Sequence, residues 1–398
     1  MNSILQDIKN MARGMSEELR DTRRHLHAHP ELSWREAETS KYIERKLTGL
    51  GLSNVKRGFG GTESGVTGDL VCSDGPCVAI RADIDALPIA EENESEYRSE
   101  NDGVMHACGH DGHMSALLGA ARILVTMKSR VRGSVRFIFQ PAEETGDPSG
   151  ARAVIGDGAL EGVDAIGGMH VWSFVKSGTV QWRNGPVMAS SDKFSATFTG
   201  RGGHGAMPHS AVDPIVAAAD FIGALQTIIS RELDPVDPAV VTVGKISAGE
   251  AFNIIPDKAE ILGTLRSFKP ETRRGMEPRL SRIADGIASA HRCRAETSVK
   301  YLLPSVVNDR RITDIFRRAA AEVAGDENVE ESPPLMVSED FSFYQERVPG
   351  TFFFLGAGNP ACGAEYPHHS PRFNIDENAL ATGAALLAAF AARAACEL

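Results

Sequence analysis

CVAIRAD (residues 77–83) is a mostly apolar run after Pro76 that reads as a buried strand. A long loop follows, and then GHDGHMSALLGAARILVTMK (109–128), whose apolar positions recur at helical spacing. VRFIFQ (135–140) is a second strand, residues 150–160 read as a helix, and VDAIGGMHV (163–171) is a third strand ending near His170. Strands that alternate with helices predict an α/β fold: a catalytic domain with a mixed, mostly parallel sheet flanked by helices. In such sheets ligands gather at the carboxyl ends of the strands, and Asp83, Glu143, Glu144 and His170 all fall at or just past such ends.

Working outward, residues 5–28 and 35–50 read as surface-packing helices, the second stopping at Gly51. The texture changes after Gly185. Strand 193–199, helix 212–231, strands 238–246 and 258–267, helix 271–290 and strand 295–302 follow in the order β-α-β-β-α-β of a ferredoxin-like α+β unit. These readings predict an inserted domain at 187–301, with 1–186 and 302–398 forming the catalytic domain. The Ala-rich run 379–395, interrupted by Thr382, Gly383 and Arg393, reads as a buried helix, short of the ~20 residues of a membrane span.

A chain of 398 residues exceeds what one hydrophobic core supports, and its 42% apolar and 24% charged residues are those of an ordinary globular protein. The net charge of −11 argues against nucleic acid as principal ligand, since binders of phosphate backbones carry basic stripes. Its six cysteines are scattered without the dense spacing of a disulfide scaffold. The opening MNSILQDIKNMARGMSEELR has no basic start with an apolar run behind it, so the expected location is the reducing cytoplasm.

The chemistry concentrates in a few segments. MHACGHDGHM (105–114) sets Cys108 and His110 two apart, with His106 and His113 beside them. Thiolate and imidazole both bind transition metals, and the intervening Gly109 lets both side chains turn inward. FIFQPAEE (137–144) carries adjacent carboxylates just past a strand that Pro141 ends. Adjacent side chains on extended backbone point to opposite sides, so one of Glu143 and Glu144 can bind metal while the other handles a proton. His170 ends its strand and His369 lies in PHHSPRF (367–373). Taken singly, these histidines suit a structural hydrogen bond as well as a ligand.

Together, MHACGHDGHM, FIFQPAEE, GGMHV, GRGGHGAMPH, SEDFSFY and HHSP occur in the order of a known family. The chain resembles the hippurate hydrolase and auxin-conjugate hydrolase group of the metal-dependent aminoacylase and carboxypeptidase superfamily, over nearly its whole length. The resemblance implies two divalent ions, Mn2+ or Zn2+, with Cys108 bridging where related carboxypeptidases have aspartate. One ion would take Cys108, His110 and His170, the other Cys108, Glu144 and His369, the last chosen over His368 because it directly precedes the Ser-Pro. Arg81 stands where the carboxypeptidases have a metal-binding histidine, and Asp83 is then expected to orient a ligand histidine.

Glu143 matches the family's general base. A bound metal lowers the pKa of water toward neutrality, a nearby carboxylate accepts its proton, the hydroxide attacks the amide carbonyl, and Glu143 returns the proton to the leaving amine. By the same resemblance His204 stabilises the oxyanion, in some members from the partner subunit, while Asn253 and Arg266 hold the substrate carboxylate, so both domains act on one substrate. The expected activity is hydrolysis of N-acyl amino acids, small-molecule substrates, with neither nucleic acid nor membrane as partner and a homo-oligomer formed through the inserted domain. A carboxypeptidase or dipeptidase on the same scaffold is the alternative, which the cysteine at position 108 disfavours. A third reading, an inactive metal- or peptide-binding module, conflicts with the intact Glu143 and five ligand residues.

Overall fold

The strand expected at 77–83 forms over Cys77–Asp83, near the centre of an eight-stranded sheet in the computed structural model, which describes residues 2–398. The strands lie in the order Ser53–Arg57, Val66–Val71, Ser134–Gln140, Cys77–Asp83, Ala165–Lys176, Gly350–Gly358, Val180–Trp182 and Val329–Glu331. Cys77–Asp83 runs parallel to both its neighbours, and Ala165–Lys176 parallel to Gly350–Gly358; antiparallel pairs flank this parallel centre on both sides, and the outermost pair, Val180–Trp182 with Val329–Glu331, is again parallel. Strands covered on both faces must be apolar throughout, which is why Val78, Ile80, Phe137, Phe139, Ile166 and Phe352 are all fully buried.

Helices His110–Thr126 and Ala379–Glu397 pack closely on each other in this core. A Cβ on Gly119 would lie 2.6 Å from Leu19 and 3.0 Å from Ala384, and one on Gly383 3.2 Å from Ala116. Small residues thus set the spacing of these helices, and a larger one would cost about 1–3 kcal/mol in overpacking. The expected helix forms over Ala379–Glu397, longer than the run read from sequence, so contrary to that expectation it is apolar and long enough to cross a membrane; most of it is nevertheless buried inside the protein, as in a core helix. The first helical stretch forms as two helices, Asn2–Gly14 and Ser16–Ala28, parted at Met15.

A second compact unit holds a four-stranded antiparallel sheet in the order Ala239–Ala248, Lys258–Ser267, Ser191–Thr199, Arg294–Leu303. Phe194, Ala196 and Phe198 alternate inward from the strand Ser191–Thr199 and join Phe221, Ile261 and Leu280 in a separate core beneath helices Pro214–Leu225 and Pro270–His291. The side chain of Asp213 caps the first helix by accepting from the Ile215 N–H at 2.9 Å. This is the ferredoxin-like α+β insertion.

The division departs from the expected 187–301. The second unit spans Met188–Val306 and also takes Pro334–Glu339, while the first comprises the chain up to Val187, Val307–Pro333 and Asp340–Leu398. The last strand continues to Leu303, and the later segment returns because Ala189 N–H donates to the carbonyls of Leu335 (3.0 Å) and Val337 (2.9 Å). Such a long-range return leaves no mark in local periodicity.

Candidate metal centre

Cys108 and His110 flank the start of helix His110–Thr126, and Gly109 makes that start possible. Its φ is +89°, and a Cβ there would lie 2.4 Å from Val171 Cγ2. His170 faces the thiol from the neighbouring strand, with Cys108 Sγ 3.5 Å from His170 Nε2. That strand continues to Lys176, so His170 sits within it instead of ending it. From the loop after Ser134–Gln140 comes Glu144, whose Oε1 lies 3.3 Å from His369 Nε2 and 3.9 Å from His110 Nε2. His369 itself adopts left-handed backbone (φ +64°), and its N–H donates to Ala107 O at 2.8 Å.

Cys108, His110 and His170 bring one donor atom each to within 4.8 Å of one another, and so do Cys108, Glu144 and His369. The thiol belongs to both groups. Glu143, Glu144 and His110 form a further group at the same spacing, which sets the Glu143 carboxylate beside the centre.

Hydrogen bonds leave the correct ring nitrogens available. His110 Nδ1–H donates to the Asp85 carbonyl at 2.8 Å, leaving Nε2 for an ion. His113 is fully engaged: Nδ1–H donates to Asp83 at 2.5 Å, and Nε2 accepts from the Val171 N–H at 2.8 Å. Asp83 is therefore bonded to His113 and not to His110, the candidate ligand histidine: its distance to His110 Nε2, 3.8 Å, is too long for a hydrogen bond. His368 Nε2 accepts from the Ser173 N–H at 3.3 Å and its Nδ1 lies 3.9 Å from the thiol, so the tandem histidines have separate jobs.

The donor set fits divalent cations. Glu144 Oε1 is buried and has no hydrogen-bond partner among the described residues. Burial, together with Glu144 and Glu143, pushes the Cys108 thiol far above its usual range, an excess of negative charge that a cation would cancel. Burial, His113 and His368 hold His170 well below the usual histidine value, in the neutral form that binds metal.

Two supporting residues were not singled out from sequence. Asp85 Oδ2 accepts from the Glu144 N–H (3.0 Å) and from Ser33 Oγ (2.6 Å), so Asp85 anchors a candidate histidine ligand through its carbonyl and a candidate carboxylate ligand through its side chain. Its place two residues after Asp83 in RADID was the available signal. Asp340, from SEDFSFY, accepts from Arg81 (3.0 Å), Gln140 (2.9 Å) and Ser149 (2.7 Å), and Arg81 also grips Asp83 at 2.7 Å. Position 81 thus carries a buried structural guanidinium.

In the second unit His204 and Asn253 come together. The short strand Gly203–His204 pairs with Ile254–Ile255, and the Gly205 N–H donates to the Asn253 carbonyl at 2.8 Å. His204 Nδ1 accepts from the Ala206 N–H at 3.1 Å, so the ring proton is on Nε2 of an exposed side chain. Arg266 is half-buried and donates to Ser338 Oγ at 2.9 Å; among the described residues it makes no ion pair with a carboxylate. Burial lowers its pKa, with only Asp192 opposing.

Residues 79–393 match the sequence profile of the peptidase family M20/M25/M40. The chain is 42% identical to an IAA-amino acid hydrolase of Arabidopsis thaliana over 380 residues, 94% of this chain and 85% of that protein. It is 39% identical over 383 residues to thermostable carboxypeptidase 1 of Saccharolobus solfataricus, covering 96% of each. A Bacillus subtilis structure described as a dinuclear metal-binding peptidase of the M20 family superposes with a TM-score of 0.86 at 37% identity, covering 97% of this chain and 99% of that one.

Proposed function

Since the chain belongs to the peptidase family M20/M25/M40 and is a metallo-amidohydrolase, we propose that it removes the acyl group from N-acyl amino acids. The observation that carries this reading is that one buried thiol, Cys108, joins two three-ligand groups with the Glu143 carboxylate at their edge.

We assign Cys108, His110 and His170 to one divalent ion and Cys108, Glu144 and His369 to the other, zinc or manganese. Ions held there would polarise an amide carbonyl and acidify water. Glu143 would take a proton from water as its oxygen bonds to the carbonyl carbon, and deliver that proton to the amide nitrogen as the C–N bond breaks, so that the amine leaves neutral. The His204 Nε2–H suits donation to the oxygen on which negative charge develops. Arg266 and Asn253 take the substrate carboxylate; a half-buried guanidinium that makes no ion pair among the described residues is suited to that.

Cysteine at position 108 favours N-acyl amino acids over peptides, as the family resemblance implies. The likeness to a carboxypeptidase supports the second reading, a carboxypeptidase or dipeptidase. A panel of hippurate, acetyl-amino acids, indoleacetyl-amino acids and dipeptides, assayed with each metal and with chelator, tests the choice. Dipeptides as the best substrates would overturn the first reading, and activity that survives chelation would overturn both.

The same reading places the enzyme in a reducing cytoplasm, which suits six free thiols. It also makes the insertion an oligomer contact. The strand Ala239–Ala248 is a sheet edge, and the unit exposes Phe252 (104%) and Ile254 (59%).

A further inference from the structure

The Glu143–Glu144 pair is presented by an unusual piece of backbone. Ala142, fully buried, has φ +50°, a left-handed conformation that a residue with a Cβ adopts only when its surroundings hold it there. Its carbonyl accepts from the Gly150 N–H at 3.1 Å and Thr145 Oγ1 at 3.2 Å. Its own N–H points into the protein and donates to Glu36 Oε1 at 2.8 Å.

Glu36 is itself an anomaly. It occupies the N-cap of helix Ala37–Gly49, yet its side chain makes no capping hydrogen bond. Its residue is completely buried, and Oε2 has no hydrogen-bond partner among the described residues. Burying a carboxylate in this way is unfavourable, so its retention calls for a local reason. Burial and nearby Asp85 push its pKa up to about 7. The segment bearing it is tied to the site at two more places: Ser33 Oγ donates to Asp85, and Ala86 N–H donates to the Glu31 carbonyl at 2.8 Å.

We propose that Glu36 is a positioning residue for the general base: by accepting from the Ala142 N–H it holds the left-handed turn that directs Glu143 and Glu144 to different tasks. Without that acceptor the Ala142 N–H is left buried and unpaired, and the residue relaxes toward right-handed backbone. The Glu143 carboxylate then swings away while Glu144 stays anchored through Asp85. This rests on the reading of Glu143 as the base.

The test separates reach from charge. Glu36→Asp keeps the buried carboxylate but is one methylene too short; Glu36→Gln loses the charge but keeps the acceptor. For Glu36→Asp, kcat should fall about 10²-fold, the effect of a base displaced by an ångström, with KM and metal content unchanged by elemental analysis. Glu36→Gln should keep most of the turnover. Adding Ala142→Gly to Glu36→Asp should restore much of kcat, because glycine adopts the left-handed turn without help. An active Asp variant beside an inactive Gln variant, or no recovery with Ala142→Gly, overturns the proposal. So does loss of thermal stability with normal kcat per metal-loaded site, the mark of a purely structural role. Glu143→Gln, run alongside, distinguishes the two layers: normal turnover there removes the base assignment itself, whereas a dead Glu143→Gln with a normal Glu36→Asp removes only the positioning role.

Discussion

Replacing Gly109 with alanine should break the candidate metal centre without altering any of its proposed ligands. The glycine separates Cys108 from His110 at φ +89°, and an added Cβ would lie 2.4 Å from Val171 Cγ2 and 3.4 Å from the Phe373 ring. Left-handed backbone costs alanine about 1–2 kcal/mol, and pressing a methyl group onto the stiff, branched valine adds about 1–3 kcal/mol, for a sum of about 2–5 kcal/mol. Val171 follows His170 directly, so any shift that relieves the contact moves ligands on both sides of it. Thermal denaturation should show a fall in Tm on the order of 5 °C, and elemental analysis a loss of metal. Adding Val171→Ala removes the contact but not the dihedral strain, so Gly109→Ala/Val171→Ala should regain only part of the loss. A Gly109→Ala protein with wild-type Tm and full metal content would refute the reasoning, because Cys108 and His110 would then not depend on this turn.

Other outcomes follow from the same geometry. Glu143→Gln should keep its metals and lose on the order of 10²–10⁴ in rate, whereas Glu144→Gln should lose metal; identical metal titrations of the two variants would contradict the division. Arg266→Ala should raise KM for N-acyl amino acids and spare the corresponding amides, which steady-state kinetics on matched pairs would show. His204→Ala should depress kcat instead, and normal turnover with metals retained would remove it from the chemistry. In the metal-free protein burial opposes the charging of His110, but Asp83, Asp85 and Glu144 outweigh it and raise its pKa from 6.5 to about 10. That proton stabilises the metal-free fold fully below pH 6.5, and the contribution is lost as pH rises through about 10. Because an ion must displace the proton, metal affinity should climb across this window. Calorimetry near pH ~8 in buffers of different ionisation enthalpy should count at least one proton released on binding, and none released would refute the claim.

The sheet and the insertion were legible in the sequence because apolar periodicity is a local signal. CVAIRAD, VRFIFQ and VDAIGGMHV could hardly be anything but buried strands, and the β-α-β-β-α-β order announces the second unit. Cys108, His110 and His170 were legible as metal-binding side-chain types, and Glu143 and Glu144 as adjacent carboxylates just past a strand; the ordered motifs divided the roles of the two glutamates and added His369 and the residues of the insertion. What each neighbouring polar residue does was not legible. Asp83 and Asp85 lie two apart on one segment, and only the folded chain shows Asp83 spent on His113 while the Asp85 carbonyl orients His110. Asp340 and Glu36 act through partners more than a hundred residues away, Arg81 and Ala142, and the return of Pro334–Glu339 to the second unit is equally remote. Local pattern determines which segments are strands and helices and which side chains have metal chemistry; the partner of a buried polar group is chosen by which distant donor the packed core brings within hydrogen-bond reach, and only the tertiary structure decides that.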